Sequence, residues 1–400
     1  MRICVISQYF PPDTGGASTR ASNVINSLID GGEQVTIVTA FPHYPFGSIP
    51  KRYRRKLLSV EEFRRARVIR VWMPAIAHEG VIKRLVMYGT YAISALMALP
   101  FCRGVRVTWA ISPNYLCMIP ATAVKLMTKS RVIHDVVDIW PRALIATGYS
   151  FPRGILKAVN LLSRISYILS DAVVTISDSM RSSLTKESPK YIRVEVLANC
   201  VTNDFFSVPS KTRGRLFHIM YVGTLGPSND FSNVLEAAKK LQDEDNIKFT
   251  IAGSGELASK ISQTVKNYNI KNVDFIEESI KHDNVPLWLD RADALVLPLR
   301  RGFGDTSFPS KLGEYLATGR PVVCSADGAL ANTLGASNVS LIVTPGDNEE
   351  LVQAFLRLRK DLRLSDQIGS NGRAYAHEHF SFDSFQKKVE NLTESIVRTA

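Results

Sequence analysis

The residues best suited to chemistry lie in the segment LPLRRGFGDTSFPSKLGEYLATGRPVVCS, from Leu297 to Ser325. Pro309 stands where helices often begin, so Ser310 and Lys311 would offer first-turn N–H groups and a cation to an anion such as a diphosphate. Glu314 lies one turn further along the same helix face, where its carboxylate can accept hydrogen bonds from two ribose hydroxyl groups. We therefore predict a nucleotide-binding helix that begins near Pro309.

A second candidate anion site follows the first apolar run, in the segment QYFPPDTGGASTRASN. Gly15 and Gly16 directly precede a predicted helix, so backbone N–H groups and the helix dipole can face a phosphate. A pair of glycines in a loop is more often only a turn, and both interpretations stay open. The chain contains neither G-x-G-x-x-G nor G-x-x-x-x-G-K-[ST], which disfavours dinucleotide binding and ATP hydrolysis.

Two further apolar runs end in residues that can do polar work or let a ligand approach the backbone. His134 and Asp135 open the segment HDVVDIWPR, in which an imidazole could bond a hydroxyl and a carboxylate could orient it. A histidine buried in the core is the competing interpretation. Gly253 and Gly255 lie in AGSGE, which is either a plain β-turn or a place where a base or phosphate approaches the main chain.

The elements that must position these residues form two similar sets. Apolar β-branched runs alternate with helical stretches from Arg2 onward, and the pattern restarts after Phe217, which predicts two Rossmann-like α/β domains with parallel sheets. We place the domains at residues 1–203, with a terminal helix at 383–400 added, and at 204–382. Ligands of open parallel sheets bind outside the carboxyl ends of the strands, so we expect the two domains to face each other across a cleft.

The bulk composition favours a globular protein of the cytoplasm. The 400 residues are 45% hydrophobic, which is enough for two cores. Five scattered cysteines without a C-x-x-C pair are typical of a reducing compartment. The first residues, MRICVIS, predict a core strand and not a signal peptide, so we expect a cytoplasmic location.

The excess of positive over negative charge lies entirely in the first half of the chain. Residues 1–200 contain 26 Lys and Arg against 12 Asp and Glu, whereas residues 201–400 contain 23 against 25. The run KRYRRK, from Lys51 to Lys56, would attract an anionic lipid surface or another polyanion, unless it is only a solvated face. No nucleic-acid-binding motif accompanies this charge, so we expect no nucleic-acid partner.

A long apolar stretch, LVMYGTYAISALMALPF, runs over residues 85–101 between basic residues. It is at the lower limit of length for a membrane span of about 30 Å, and it contains a glycine and a proline. We do not interpret it as transmembrane. It is either a buried core helix or a helix that lies in the membrane interface.

Together these motifs resemble family 4 of the retaining GT-B glycosyltransferases. The family signature has two acidic residues eight positions apart, followed by a small-residue helix that ends in Gly-x-Pro-Val. The YFPPDTGG loop, the link LANCVTNDFF and the AGSGE turn extend the resemblance over most of the chain. Pro-Ser-Lys and Asp-x-Trp-Pro are similar to motifs of bacterial enzymes of surface-polysaccharide assembly, such as the N-acetylfucosamine transferases.

The resemblance implies roles for particular residues. Those implied for catalysis are His134, Asp135, Lys311 and Glu314. Those implied for the donor nucleotide and diphosphate are Gly15, Gly16, Gly223, Gly253, Gly255, Arg300, Arg301, Ser310, Lys311 and Glu314. Those implied for the donor sugar are Asp305, Thr306, Phe308 and Pro309, and those on the acceptor side are Asp138, Trp140 and Arg142.

The resemblance also implies the reaction and its partners. The donor would be a nucleotide sugar, with a UDP-linked N-acetylated or deoxy-amino hexose favoured, and the acceptor would be lipid-linked or an oligosaccharide. Transfer would proceed with retention and without a cofactor or a metal. The protein would work as a peripheral protein on the inner face of the cytoplasmic membrane.

Two departures from the family pattern leave alternatives open. Thr306 stands eight residues before Glu314, with Asp305 beside it, so the first acidic position is replaced or shifted. The segment YVGTLGPSND lacks the Arg and Lys that many members use on the diphosphate, so Arg300, Arg301 or Lys311 would substitute. A catalytically degenerate membrane-associated interaction protein and a GT-B sugar-nucleotide epimerase are the competing hypotheses.

Overall fold

The computed structural model of the chain describes residues 1–44, 47–75, 81–142, 152–189, 192–209, 214–304 and 309–398. The chain divides into two compact domains. The amino-terminal domain comprises Met1–Asn199 and Phe385–Ala400, and the carboxyl-terminal domain comprises Cys200–Ser384. The boundaries drawn from the sequence, at 203/204 and 382/383, lie within four residues of these divisions.

One sheet of eight strands runs through the described part of the amino-terminal domain. Its strands are β1 (Arg2–Ser7), β2 (Gln34–Ala40), β3 (Leu58–Phe63), β4 (Ala66–Val71), β5 (Val107–Ile111), β6 (Arg131–Val136), β7 (Ala172–Thr175) and β8 (Arg193–Val196). Their order is β3-β4-β2-β1-β5-β6-β7-β8. All neighbours pair in parallel except β3, which pairs antiparallel with β4 at one edge.

Helices cover both faces of this sheet. They are α1 (Gly16–Asp30), α2 (Val81–Ser94), α3 (Met118–Thr128), α4 (Arg153–Leu169) and α5 (Asp178–Glu187). A 3-10 segment, Ala95–Cys102, continues α2, and another, Tyr115–Cys117, precedes α3. Successive side chains of a strand point to opposite faces of the sheet. Because consecutive residues of these strands are buried and apolar, the strands are apolar on both faces and form nearly continuous hydrophobic runs.

The carboxyl-terminal domain contains a parallel sheet of six strands among its described residues. They are β9 (Phe217–Val222), β10 (Ile247–Gly253), β11 (Val273–Glu277), β12 (Ala294–Pro298), β13 (Val322–Ser325) and β14 (Leu341–Val343). The order is β11-β10-β9-β12-β13-β14. The predicted Rossmann-like pattern is thus confirmed in both domains.

The helices of the carboxyl-terminal domain contribute apolar side chains to its core. They are α6 (Asn203–Phe206), α7 (Phe231–Lys240), α8 (Ala258–Asn267), α9 (Val285–Leu289), α10 (Ser310–Ala317), α11 (Gly328–Ala336), α12 (Asn348–Lys360) and α13 (Leu362–Phe380). A last helix, α14 (Phe382–Arg398), packs in the amino-terminal domain from Phe385 onward. Both domains therefore present the carboxyl ends of parallel strands to ligands.

The apolar stretch around residues 85–101 is neither fully buried nor fully exposed. By length and composition alone, Lys83–Cys102 is apolar enough to cross a membrane, with a mean hydropathy of 1.6 over its 18 most apolar residues. Only 39% of that window is buried. Met87, Tyr91 and Ala98 belong to the core, whereas Val86 and Ile93 face outward. The core interpretation and the interfacial interpretation therefore each describe one side of this segment.

Candidate functional site

Lys311 lies in the first turn of α10, with its side chain over the residue that follows β9. A Cβ atom placed on Gly223 would come within 2.0 Å of Lys311 Cε, so a glycine at this position leaves room for the lysine. Lys311 Nζ lies 5.9 Å from the centroid of the Tyr221 ring. Burial lowers the pKa of Lys311, and the nearby Glu314 carboxylate opposes this shift. A bound anion would therefore favour the charged ammonium group.

The two other glycines predicted for this site lie at the same end of the sheet. Gly253 ends β10 with φ +156°, and a Cβ there would lie 1.8 Å from the carbonyl oxygen of Gly223. Gly255 packs against the Leu225 carbonyl in the same way, at 2.6 Å. The loops after β9 and β10 thus pack backbone against backbone beside Lys311. This packing of one loop on the other accounts for both glycines, and the approach of a base or phosphate to AGSGE stays a prediction.

Three contacts fix α10 in position. The Tyr315 hydroxyl accepts a hydrogen bond from the Val222 N–H, at 2.9 Å, which attaches the helix to the end of β9. Arg373 of α13 donates to the carbonyls of Ala317 and Thr318, at 3.1 and 2.5 Å, and so satisfies the carboxyl end of α10. The helix therefore holds Ser310, Lys311 and Glu314 on a rigid element.

Glu314 pairs with a histidine that the sequence analysis did not consider. His282 follows β11 in the 3-10 segment His282–Asn284, and its Nε2 lies 3.0 Å from Glu314 Oε1. Hydrogen bonding to Glu314 raises the pKa of His282 above its ordinary value. The Phe205 ring lies against the imidazole, with 5.4 Å between ring centroids. Its place in the loop that follows a predicted strand was the one signal that could have identified His282.

The loop after β12 holds Arg300 and Arg301, which were predicted to replace the missing diphosphate cations. Arg300 donates through Nε to the Asn229 carbonyl, at 3.1 Å, in the loop that follows β9. Arg301 instead reaches the Pro345 carbonyl, at 3.5 Å, beyond β14. Since β9 and β14 are three strand spacings apart, or about 14 Å, the structure does not bring Arg301 to Lys311. The role of Arg301 on the diphosphate therefore stays a prediction, because its one described side-chain hydrogen bond is at the other end of the sheet.

The same loop is fastened by Asp327, which the sequence analysis also missed. The Asp327 carboxylate accepts hydrogen bonds from the N–H groups of Gly302 and Gly304, at 2.7 and 3.3 Å. A Cβ on Gly304 would lie 1.9 Å from the Asp327 carbonyl oxygen. Pro309 is described and precedes α10, whereas the predicted donor-sugar residues Asp305, Thr306 and Phe308 lie outside the described residues.

In the amino-terminal domain, Gly15 and Gly16 stand at the start of α1 as predicted. Gly15 has φ +94°, and a Cβ on it would lie 3.3 Å from the Tyr44 ring. Nothing within 4 Å would obstruct a Cβ on Gly16. The first-turn N–H groups of α1 thus begin at an open position, as an anion site requires.

A buried pair in the adjacent loops, Asp13 and His43, was not predicted. The Asp13 carboxylate accepts hydrogen bonds from the N–H groups of His43 and Tyr44, at 2.7 and 2.9 Å. Burial raises the pKa of Asp13 and lowers that of His43, while each group opposes the shift of the other. These contacts join the loops after β1 and β2 and hold the Tyr44 ring against Gly15. Polar residues after two apolar runs were the available signal.

His134 is not an accessible catalytic group, contrary to the prediction. It lies inside β6, has no exposed surface and contacts the rings of Tyr115 and Tyr167, with centroids 5.2 and 6.1 Å away. Burial lowers its pKa to about 3, so the imidazole is neutral at physiological pH. The reason is geometric, because α3 and α4 cover this face of the sheet.

Asp135 points to the opposite face of β6 and forms a buried ion pair. Arg20 of α1 donates to both carboxylate oxygens, at 3.0 and 3.1 Å, and the Trp109 indole donates at 3.3 Å. Arg20 also donates to the Ala198 carbonyl, at 3.4 Å. The predicted catalytic role of Asp135 is therefore wrong. Its carboxylate joins α1, the sheet and the end of the domain.

The three acceptor-side residues behave differently from one another. Asp138 is exposed beyond the end of β6, yet the surrounding protein raises its pKa and Arg84 opposes the rise, which places the carboxyl group in a recess. Trp140 is nearly buried and stacks on Tyr115, with centroids 5.1 Å apart. Arg142 pairs with Glu187 of α5 at 2.6 Å. Of the three, Asp138 and Arg142 have exposed side chains.

Within the described ranges, no group of three or more His, Cys, Asp and Glu side chains could hold a metal ion. Among the described residues, the groups that meet beside α10 are instead the Lys311 ammonium group, the Glu314 carboxylate and the His282 imidazole.

The carboxyl-terminal domain matches a known protein family. Residues 203–375 match the family described as "Glycosyl transferases group 1", and this range covers almost all of the carboxyl-terminal domain. The carboxyl-terminal domain is thus similar in sequence to group 1 glycosyltransferases. It contains Lys311, Glu314, His282 and the glycines of the loops after β9 and β10.

Two bacterial proteins are similar to this chain over most of their length and of its own. The putative colanic acid biosynthesis glycosyl transferase WcaI of Escherichia coli is 24% identical over 88% of this chain and 90% of its own length. The MMP alpha-(1->4)-mannosyltransferase of Mycolicibacterium hassiacum is 23% identical over 99% of this chain and 98% of its own length.

Solved structures extend the similarity to the whole fold. Sucrose-phosphate synthase from Thermosynechococcus elongatus superposes with a TM-score of 0.76 at 15% identity, over 100% of both chains. Anabaena HepE, solved in complex with UDP, superposes with a TM-score of 0.68 at 13% identity, over 99% of this chain and 100% of its own. The predicted GT-B fold, with two Rossmann-like domains, is confirmed.

The geometry of the group 1 domain suits a nucleotide. The first-turn N–H groups of α10 and the Lys311 ammonium can bind phosphate oxygens, because both present positive charge at one helix terminus. One turn along, Glu314 can accept hydrogen bonds from sugar hydroxyls. The glycines of the loops after β9 and β10 let these loops and the Lys311 side chain pack closely together.

Proposed function

We propose that this glycosyltransferase moves a hexose from a nucleoside diphosphate to an acceptor hydroxyl, with retention at the anomeric carbon. The observation that carries the proposal is the meeting of Lys311, Gly223 and Glu314 at one edge of the group 1 domain. There the Lys311 cation and the backbone at Gly223 contact the diphosphate, and the Glu314 carboxylate accepts hydrogen bonds from the ribose hydroxyls.

The proposed chemistry depends on the leaving group. The bond between the anomeric carbon and the phosphate oxygen breaks while the acceptor oxygen bonds to the same face of the sugar. The departing phosphate oxygen takes the acceptor proton, so the diphosphate leaves protonated. Lys311 and the N–H groups of α10 stabilise the charge that develops on that diphosphate, which is the kind of preorganised electrostatic contribution that accelerates such transfers.

The proposed donor is a UDP-linked N-acetylated or deoxy-amino hexose. UDP is supported by the similarly folded Anabaena protein that was solved with UDP. The altered acidic position at Asp305 and Thr306 supports an amino or deoxy sugar, because that position resembles the one that contacts hexose hydroxyls in family 4.

The proposed acceptor is lipid-linked or an oligosaccharide of a bacterial surface polysaccharide. The name of the Escherichia coli relative, a putative colanic acid biosynthesis enzyme, supports this class. On the acceptor side, Asp138 is the candidate contact, since its carboxyl group is both exposed and partly desolvated. With such an acceptor, the location that we propose is the cytoplasm, at the inner face of the membrane.

The decisive experiment is a screen of UDP- and GDP-sugars against purified protein, followed by NMR of the product. We expect saturable donor hydrolysis or transfer and an anomeric configuration that matches the donor. Lys311→Ala should lower turnover, whereas Lys260→Ala, which removes an exposed lysine of α8, should leave it unchanged. An inverted product would contradict retention, and the absence of any nucleotide binding would favour the interaction-protein hypothesis.

A further inference from the structure

Three helices that cover one face of the amino-terminal sheet also expose apolar side chains to solvent. We call their outer face the three-helix surface. It carries Val86 and Ile93 on α2, Ile119 and Leu126 on α3, and Leu161 and Ile165 on α4. The exposed fraction reaches 68% at Ile93, 80% at Leu126 and 59% at Leu161. The pairs lie seven or four residues apart, so each helix presents an apolar stripe outward.

Helix α4 is apolar on two sides. Val159 and Tyr167 of its buried face belong to the core, where Ser163 and Ser166 bond carbonyls of their own helix at 3.0 and 2.7 Å. Leu161, Ile165 and Ile168 face outward instead. A helix at the surface of a soluble domain normally buries its apolar stripe and exposes its polar residues. The composition of α4 therefore indicates a second apolar environment on its outer side.

The charge around this surface has a single sign. The sequence has no Asp or Glu from residue 80 to residue 134 or from 139 to 170, whereas these ranges contain seven and four Lys and Arg. Lys129 and Arg164 are exposed beside the apolar stripes, while Lys125 pairs with Asp171, which directly precedes β7, at 2.7 Å. Cations around an apolar patch complement a surface that is anionic outside and apolar beneath.

We propose that the three-helix surface docks on an anionic lipid bilayer. The apolar side chains enter the boundary between headgroups and acyl chains, and the cations bind lipid phosphates. A second copy of the same surface would bring like charges together, and a nucleic acid would leave the apolar stripes in water. The proposal rests on the proposed function in one respect, because docking brings the enzyme to a lipid-linked acceptor.

Vesicle cosedimentation of the full chain tests this surface directly. We expect binding to phosphatidylcholine vesicles that contain phosphatidylglycerol, and weaker binding to phosphatidylcholine alone. The variant I93Q/L126Q/L161Q should lower the partition coefficient at least about tenfold, since three apolar side chains no longer leave water. The variant K129Q/R164Q should reduce the preference for anionic vesicles, because it removes two of the headgroup contacts.

The matched control changes three exposed leucines of the other domain. In L216Q/L287Q/L362Q the replaced side chains are 43%, 67% and 52% exposed, and partitioning should equal that of the wild type. Circular dichroism melts establish that each variant is folded. Equal partitioning of I93Q/L126Q/L161Q would overturn the proposal, as would a lipid-free wild-type dimer that this variant abolishes. Wild-type protein that binds vesicles but turns over no nucleotide sugar would refute only the proposed function.

Discussion

Glu314 shows how one side chain can serve both the empty protein and a bound nucleotide. Its Oε1 atom contacts His282 at 3.0 Å, and its side chain is 19% exposed. A carboxylate has about four lone-pair sites, so the contact with His282 leaves capacity for two ribose hydroxyls. The imidazole would then orient the carboxylate before the donor arrives.

We expect Glu314→Ala to weaken binding of a UDP-sugar at least about tenfold, because a hydrogen bond to a charged group contributes about 1.5–3 kcal/mol. Isothermal titration calorimetry with purified protein measures the change. Glu236→Ala, which removes an exposed carboxylate of α7, is the control and should bind like the wild type. Wild-type affinity in Glu314→Ala would refute the assigned role.

The contact between His282 and Glu314 also predicts a pH dependence of stability. The pKa of His282 is raised in the folded protein, so the contact stabilises it fully below the ordinary histidine value of about 6.5. The stabilisation is lost as the pH rises through the raised pKa. Urea denaturation should show that wild type and His282→Gln differ most at mildly acidic pH and converge at alkaline pH. A difference that does not change with pH would contradict the pairing.

The errors of the sequence analysis at this scale have a common physical cause. His134 and Asp135 stand next to each other in a strand, so they point to opposite faces, and both faces are covered by helices. A histidine and an aspartate are residue types that can do chemistry. The three-dimensional fold shows instead that His134 packs among tyrosines and that Asp135 pairs with Arg20. Conversely, His282 and Glu314 are 32 residues apart, and no local pattern joins them.

At the scale of elements, α10 depends on the helix packed against it. Gly369 of α13 crosses the chain just after α10 so closely that a Cβ would lie 2.1 Å from the Gly319 carbonyl oxygen. Arg373, one turn further on, donates to the last carbonyls of α10. The close crossing therefore sets the distance from which Arg373 can reach them.

We predict that Gly369→Ala destabilises the carboxyl-terminal domain by about 1–3 kcal/mol, as overpacking of an interior contact commonly does. Thermal unfolding monitored with and without UDP measures the loss. Gly335→Ala in α11 is the matched control, since nothing lies within 4 Å of its Cβ position and alanine favours a helix. An unchanged melting temperature in Gly369→Ala would mean that the two segments can separate without cost.

Most elements were predictable because continuous apolar runs in parallel sheets identify themselves. β1, β2, β5, β6 and β7 and the six strands of the second domain lie in apolar runs of the sequence that predict strands. β3 and β4 were not recognised, because their charged residues alternate with apolar ones at the antiparallel edge of the sheet, as Glu62 and Arg67 do where they pair. Edge strands face solvent and so lose the apolar signal.

At the scale of the whole molecule, the two domains differ in net charge more than they differ in fold. Both are Rossmann-like, but the excess of Lys and Arg belongs to the first 200 residues. Part of it is the exposed group Arg54, Arg55 and Lys56, beside Leu57, whose side chain is 66% exposed. A basic domain and a neutral one would give the protein a preferred orientation at an anionic surface.

Neutralising that group tests how far simple electrostatics directs the protein to the membrane. We expect R54Q/R55Q/K56Q to bind phosphatidylglycerol-containing vesicles more weakly, because each cation near such a surface contributes about 1 kcal/mol. The deficit should shrink in high salt, where screening removes this contribution from the wild type as well.

K260Q/K266Q/K271Q, which removes three exposed lysines of the carboxyl-terminal domain, should bind like the wild type. Hydrolysis of a soluble donor should be unchanged in both variants, since neither set lies among the residues assigned to the donor. Vesicle binding of R54Q/R55Q/K56Q equal to that of the wild type at low salt would mean that this group faces water only.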